Sequence, residues 1–519
     1  MTSSDETARV ARGHGRREMM HADRHAHVQA SHHTRADLAR IAVLAMIERG
    51  LEPAFPGALL DEVASITGAA EDADPGIADL RDLPWCSIDN DDSRDLDQLT
   101  VCEQLPEERL RVLIAVADVD AIVRKGSAVD DHARRNTTSV YTSAVVFPML
   151  PERLSTDLTS LNPDEDRLAL VTELVFSSDG TLERSGVMRA RVRNQAKLAY
   201  DAVSAWLAGE AALADAALRV SGMEEQIRLQ DRMAQALRGR RRAEGALEFE
   251  THQPRAVFEN DRVVGLEEQA HNRARQLIEE FMIAANRCNA RFLAEHGGAS
   301  LRRVVRSPER WMRIVAVAAE RGVALPPEPD SGALEAFLAS ERGRDPVGFS
   351  DLSLVVIKLM GRGEYVVETP GTSPIGHFGL AVTDYTHSTA PNRRFPDLIT
   401  LRQVKALLAG APAPYSGREL VALADHCTRQ EDAAQKVERR MRKSEAALLL
   451  ESRIGERFDA IVTGVTAAGI WVRLLSPFVE GRLDDRVSGL RVGQRLRVRL
   501  VFTDVERGYI DFRLTRGNA

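Results

Sequence analysis

Between Trp85 and Gln98 the chain sets five carboxylates, Asp89, Asp91, Asp92, Asp95 and Asp97, within nine residues, directly behind an apolar, strand-like lead. Like charges gathered at the end of a strand repel one another. A fold that contains this loop must therefore leave it in water or bring a cation to it. Hard divalent cations favour oxygen ligands of this kind, and Mg2+ keeps waters while accepting one or two carboxylates beside a substrate phosphate. An EF-hand fails, because counting from Asp89 its glycine and glutamate positions hold Arg94 and Thr100. On this segment alone, a solvated acidic turn and a cation site both stay open.

A second segment carries complementary chemistry. Gly376 to Ala381 leads into Asp384, Tyr385, Thr386, His387, Ser388 and Thr389, then Pro391, Asn392, Arg393 and Arg394, ahead of Phe395, Pro396, Asp397 and Leu398. Hydroxyls, a histidine and paired arginines thus surround a proline-fixed turn that opens a helix. Guanidinium groups suit phosphate oxygens and the charge that develops during phosphoryl transfer. A helix start with surface arginines is the plainer reading of the same residues.

At 519 residues the chain exceeds what one hydrophobic core holds, so more than one domain is expected. Its 44% hydrophobic and 28% charged residues suit a globular protein, and no apolar run reaches the ~18–20 residues of a membrane span. Four scattered cysteines, Cys86, Cys102, Cys288 and Cys427, form no CxxC pair, which points away from a disulfide framework and toward a reducing cytoplasm. The net charge of −8 does not advertise nucleic-acid binding, although a channel can be basic inside an acidic protein. Basic clusters occur at Arg238 and Arg240–Arg242, at Lys436–Lys443 and at Arg491, Arg495, Arg497 and Arg499; each alone reads as a solvated face.

Residues 1–35 are polar and rich in His and Arg, and are expected to be a disordered tail. Residues 36–82 read as two short helices, near 36–50 and 59–66, and a linker over 67–82. Residues 83–410 form a large mixed region, with strands expected over 111–116, 167–176 and 186–190 and helices over 270–295 and 397–408. A long charged helix is expected over 416–456, with residues 411–452 as the connecting helix between the two domains. From 453 to 519, β-rich runs (457–466, 469–475, 494–503, 509–514) punctuated by Gly469, Gly481, Gly493 and Gly508 suit a small closed barrel of the OB type. The fold class is α+β.

Together the two chemical segments resemble the ribonuclease II (RNB) family, and further matches lie between them in order. These are Ile114 to Val119, Thr138 to Tyr141, Phe147 to Pro151, Ser160 to Ala169, Lys197 to Asp201 and Leu277 to Asn286. The resemblance covers about residues 83–410, and the terminal barrel is similar to the family's RNA-binding OB domain. It implies metal ligands at Asp89, Asp95 and Asp97, a catalytic arginine at Arg393 and an active-site tyrosine at Tyr200. It further implies base stacking by Tyr141, with Phe249 as a second aromatic, and Glu280 near the last nucleotide. Trp471 offers a stacking aromatic in the barrel. The chain departs from the pattern at Gln98, where a fourth aspartate is usual, so that this ligand position brings an amide oxygen and no charge. It departs also at Ala390–Asn392, usually Ser-Pro-Ile, and at Leu401, where His usually precedes Arg402. The two cold-shock barrels that usually precede the core are not recognisable in residues 1–82.

The resemblance implies a Mg2+-dependent exoribonuclease working 3′ to 5′ on single-stranded RNA in a narrow channel, and releasing nucleoside 5′-monophosphates. Asp97, Arg393 and Tyr200 would act on the scissile phosphate, with no membrane and no protein partner evident. The alternative is an RNA-binding regulatory protein whose active site Gln98 has weakened.

Overall fold

The computed structural model describes residues 33–250, 254–259, 261–268, 272–346, 348–466, 469–484, 487 and 489–515. The expected 1–35 tail thus lies outside the described residues, except for its last three.

The large mixed region is organised by a seven-stranded sheet. Its strands are β1 (Ala78–Asp79), β2 (Cys86–Asp89), β3 (Gln98–Gln104), β4 (Leu110–Ala117), β5 (Asp166–Phe176), β6 (Leu182–Arg193) and β7 (Ala196–Ala199), in the spatial order β1-β6-β5-β4-β3-β2-β7. β4 and β5 are buried along almost their whole length because they are central and covered on both faces. One face is covered by α2 (Tyr200–Leu207), α3 (Met223–Ala243) and α4 (Arg273–His296), whose Trp206, Ile227, Leu277 and Phe281 pack on Cys86, Ile88, Val112 and Ile114. The opposite face meets α5 (Phe395–Leu408) and the start of α6 (Gly417–Glu451) through Phe395, Leu398, Leu401 and Leu420.

Local chemistry sets where these helices begin. Asn272 caps α4 by accepting from the Arg275 backbone N–H, and Ser416 caps α6 by accepting from Glu419. α5 starts with proline in its first turn, where a missing N–H costs nothing.

The stretch over 67–82 differs from the linker expected of it. Ala78 and Asp79 run parallel to Ala190 and Arg191, and the Asp72 carboxylate accepts from Arg189 at 2.7 Å. Its Asp- and Gly-rich composition suggested a loop, but those aspartates staple it to arginines on the sheet edge.

The C-terminal strands β8 (Arg457–Thr466), β9 (Gly469–Leu474), β10 (Glu480–Leu483), β11 (Arg495–Asp504) and β12 (Tyr509–Leu514) close a barrel in the order β8-β9-β10-β12-β11. Alternation along β8 and β9 buries Phe458, Ala460, Val462, Ile470, Val472 and Leu474 and turns the intervening residues outward. The barrel core is continuous with the helix α1 (Arg35–Glu48) and the second half of α6: Leu38, Ile41 and Met46 share one cluster with Val437, Met441, Leu450 and Phe512. Arg473 of β9 also pairs with Asp351, on the helix Phe349–Met360, at 2.8 Å.

Candidate active site

The acidic loop leaves β2 at Asp89 and re-enters the sheet at Gln98, so it hangs from two adjacent central strands. Its conformation is pinned from below: Ser160 Oγ donates to the Arg94 carbonyl at 2.9 Å and accepts from the Leu96 N–H at 3.0 Å. The turn bearing the paired arginines packs against it from the opposite end of the domain sequence. Asp97, only 1% exposed, accepts from the Asn392 backbone N–H at 3.0 Å and from Arg393 Nε at 3.1 Å. The Asn392 side chain meanwhile accepts from Thr159 Oγ1 at 2.5 Å, tying the arginine turn to the segment that holds the loop.

Three aspartates and two tyrosines fall within electrostatic reach of Arg393. Tyr141 donates to Asp95 at 3.4 Å. Asp89 accepts from Ser93 at 2.9 Å and sits close enough to Tyr200 and Arg393 to influence both. Burial pushes the Asp97 carboxyl up to about 7 despite the attraction of Arg393, and Asp95 is raised by burial and by the charge of Asp89. Burial works to lower the Arg393 pKa, but Asp97, Tyr141, Asp89 and Asp95 together hold it above its ordinary value. Tyr141 is 38% exposed and the Arg393 side chain 45%, yet burial heads the causes acting on both groups. Side chains that water reaches while protein surrounds them line a recess, not an outer surface.

The donor set fits a hard divalent cation in its chemistry: all-oxygen ligands, short of positive charge, beside a guanidinium suited to phosphate. Among the described residues no three His, Cys, Asp or Glu side chains stand close enough together to chelate an ion. Asp97 is turned onto Asn392 and Arg393, Asp89 onto Ser93, and Asp95 toward Tyr141. A bound ion therefore requires these carboxylates to turn toward it.

Strand alternation separates two sides of the loop's exit. Leu99 and Val101 pack toward α5, and Asp97 shares their side; Thr100 and Cys102 face α3, and Gln98 shares theirs. That second side is the one from which α2 presents Tyr200. It also carries a residue that the sequence did not single out. Arg275 lies with its guanidinium 4.4 Å from the Tyr200 ring centroid and donates to Asn90 Oδ1 at 2.7 Å. Its only sequence signal was a position in the helix that carries Leu277–Asn286.

Three residues proposed from the sequence lie elsewhere. Phe249 packs with Trp311, Phe337 and Phe349, in the apolar cluster of the helices Trp311–Ala319, Ser331–Arg344 and Phe349–Met360. Glu280 is buried and held by both arms of Arg241, at 2.7 and 2.5 Å. Trp471 stands on the outward side of β9, opposite Gly464 and Arg482, and so is not part of the barrel core.

Comparison with known proteins agrees with this architecture. Residues 77–410 match the RNB domain, and residues 456–515 match the RNase II-type exonuclease C-terminal S1 domain. Ribonuclease R of Escherichia coli is 33% identical over 501 residues, covering 89% of this chain and 60% of that protein, so this chain spans about three fifths of its relative's length. Mycoplasma genitalium RNase R, solved with ribose-methylated single-stranded RNA, superposes with a TM-score of 0.83 at 21% identity, over 92% of this chain and 78% of that one. Yeast Ssd1, described as a pseudonuclease, shares the fold at a TM-score of 0.68 and 16% identity, over 91% of this chain and 57% of its own. Among the described residues no helix is long and apolar enough to cross a membrane. With more than half of its length matched by the RNB domain, the chain belongs to the RNB family of ribonuclease II-type proteins.

Proposed function

We propose that this chain is a 3′-to-5′ exoribonuclease that hydrolyses single-stranded RNA to nucleoside 5′-monophosphates with a divalent metal, Mg2+. The observation that carries this reading is the meeting of Asp89, Asp95 and Asp97 with Arg393, a residue 296 positions from Asp97 in sequence, in a recess flanked by Tyr141 and Tyr200. Asp89, Asp95 and Asp97, with Gln98 as a neutral oxygen donor, would hold the ion, which when bound supplies positive charge to the scissile phosphate. Water adds to phosphorus as the bond to the 3′ oxygen of the preceding nucleotide breaks. The shortened chain keeps a 3′ hydroxyl and the released nucleotide keeps the phosphate. Arg393, poised on Asp97, neutralises charge gathering on the phosphoryl oxygens. Tyr141 offers an aromatic face to bases, which suits sequence-tolerant binding of single strands, and Tyr200, within reach of Asp89 and Arg393, stands as the active-site tyrosine. Arg275 holds the Tyr200 ring from behind.

The RNA-binding, non-catalytic alternative draws on Gln98 and on Ssd1, whose fold is shared without catalysis. The intact Asp97–Arg393 pair weighs against it. Four buried, unpaired cysteines support a reducing location, the cytoplasm. The test is shortening of a 5′-labelled oligoribonucleotide, with the released mononucleotides identified separately, in Mg2+ and in EDTA, beside the same sequence as DNA. Metal-dependent shortening of the RNA alone is expected. Tight binding without shortening in any divalent metal would overturn the catalytic reading.

A further inference from the structure

Tyr141, whose hydroxyl donates to Asp95, rides on a hairpin outside the larger sheets. Its strands, Val140–Tyr141 and Val146–Phe147, pair with each other in a sheet of two. A two-stranded hairpin is marginally stable by itself in water, so its place is set by what it packs against. At its base Ser139 donates its backbone N–H to the Arg393 carbonyl at 3.0 Å. Its Val140, Ala144 and Phe147 share one apolar cluster with Val437 and Met441 of α6. Apolar contact has no direction, and it leaves a hairpin free to slide along the helix that covers it.

The hydrogen bonds supply the direction. Thr142 turns its N–H inward, to the Val145 carbonyl at 3.2 Å, so the N–H groups of Tyr141 and Ser143 point out along the edge where a third strand would add. Two carboxylates of α6 take that strand's place. Glu438 accepts from the Tyr141 N–H at 3.2 Å, and Glu445 accepts from the Ser143 N–H at 3.3 Å and from its hydroxyl at 3.0 Å. Seven residues separate the two glutamates in a helix, so both project from one side of α6. Each is held out of water: Glu445 is 1% exposed, and burial raises the Glu438 carboxyl. A charged acceptor grips an N–H more firmly than a neutral one, and it fixes the register that apolar packing leaves loose.

We propose that Glu438 is a positioning residue for base stacking: it sets where the Tyr141 ring stands beside Asp95, with Glu445 fixing the same hairpin edge one step further along. The Tyr141 backbone is tied to α6 and its hydroxyl to the acidic loop, so the ring is held at both ends. Glu438 touches no reacting atom and acts through Tyr141. The proposal rests on the reading that Tyr141 offers its face to an RNA base, but not on cleavage.

The test is binding of a single-stranded oligoribonucleotide with 2-aminopurine near its 3′ end, a base whose fluorescence is quenched when it stacks. Full chains are compared in EDTA, so that the strand stays whole. Tyr141→Ala should abolish the quenching and weaken binding roughly 5–150-fold, the span of one lost stack. Glu438→Asp keeps the charge but withdraws the carboxylate by one methylene; it should lose much of the quenching and weaken binding on the order of 3–10-fold. Glu438→Gln keeps the reach and drops the charge, and should stay within about twofold of wild type. The reverse order, with Asp neutral and Gln altered, would mean that Glu438 acts on RNA by its charge, and overturns the proposal. In the Tyr141→Ala background Glu438→Asp should add less than about twofold, since the ring it places is gone. Equal losses in both backgrounds, or full quenching and affinity in Glu438→Asp, overturn the proposal and leave the stacking reading standing. Both Glu438 variants should melt close to wild type; a large melting loss with quenching retained would make Glu438 a support of the fold alone, and also overturns it. Unchanged quenching and affinity in Tyr141→Ala would overturn the stacking reading itself, and the role of Glu438 with it.

Discussion

Arginine does opposite things in the two halves of this molecule. In the recess, Arg393 faces Asp97 and Arg394 faces Asp397 at 2.8 Å, while a buried Arg402 is divided between Asp120 and Asp130. On the barrel wall, Arg499 faces Arg457 and Arg513. The first arrangement fixes each guanidinium at a set position by a carboxylate. The second sets like charges side by side, and the carboxylates Asp484 and Asp459 answer only those of Arg513 and Arg497. Precision and tolerance are thus set by what stands opposite the arginine, not by the arginine itself.

The comparison breaks first at Asp97. If its carboxylate serves the chemistry, Asp97→Asn should abolish turnover while RNA affinity stays largely intact or tightens, because negative charge beside a phosphate has been removed. Near-normal cleavage by the variant would remove Asp97 from the catalytic role. Next comes Arg393→Lys, which keeps the charge and loses the planar fork. Single-turnover cleavage should fall on the order of 10²–10³-fold. An equivalent change on the wall, Arg499→Lys, should leave cleavage within about twofold, since Arg499 stands on the barrel and outside the recess. Equal losses at the two positions would erase the distinction drawn between them.

A third, smaller effect follows from burial. Asp97 titrates near 7 in the folded chain and at its ordinary 3.8 when unfolded, so between those values the folded state holds a proton that the unfolded state has released. That contribution to stability is greatest below pH 3.8 and is lost as pH rises through 7. In EDTA, Asp97→Asn should therefore melt higher than wild type at pH 8, with the gap narrowing by pH 5 and closing only below pH 3.8. His377, lowered to about 4 by burial, changes stability in the opposite sense below pH 6.5, but equally in both proteins, so the difference between them isolates Asp97. A gap that does not vary with pH would show that burial does not govern this carboxyl.

How much of this was legible in sequence divides along physical lines. Strands such as Arg457–Thr466 and Tyr509–Leu514, and the long helix ending at Glu451, announce themselves by periodicity, because one face of each is apolar. The acidic loop and the arginine turn were legible because each concentrates charge within a few residues. Contacts made at long range were not. Nothing near Phe249 in sequence reveals the apolar cluster around Trp311 and Phe349 against which it packs, partly buried. Glu280 hid its tie to Arg241, and Arg275 hid its place over Tyr200, because each sits on an ordinary amphipathic helix whose partners come from other segments. The barrel's core runs on into α1 and α6, which its own sequence does not reveal, so deleting residues 453–519 would strip those helices of their packing.

The smallest expected effect concerns Gln98, where the recess departs from the charge pattern of its family. Its place on β3, on the strand face shared with Thr100 and opposite to Asp97, sets it on the side that α2 and its Tyr200 approach. There an amide oxygen can contribute to an ion without adding charge. Asp at this position would supply a further carboxylate to the oxygen set, and ion affinity rises with ligand charge. Gln98→Asp should therefore lower the Mg2+ concentration for half-maximal cleavage severalfold, on the order set by one added ligand charge, with little change in the rate at saturating metal. Because β3 buries the residue, the same variant should melt lower in EDTA and recover when metal is added. A titration curve that does not move, in a variant that folds, would place Gln98 outside the ion's reach and leave Asp89, Asp95 and Asp97 to hold it alone.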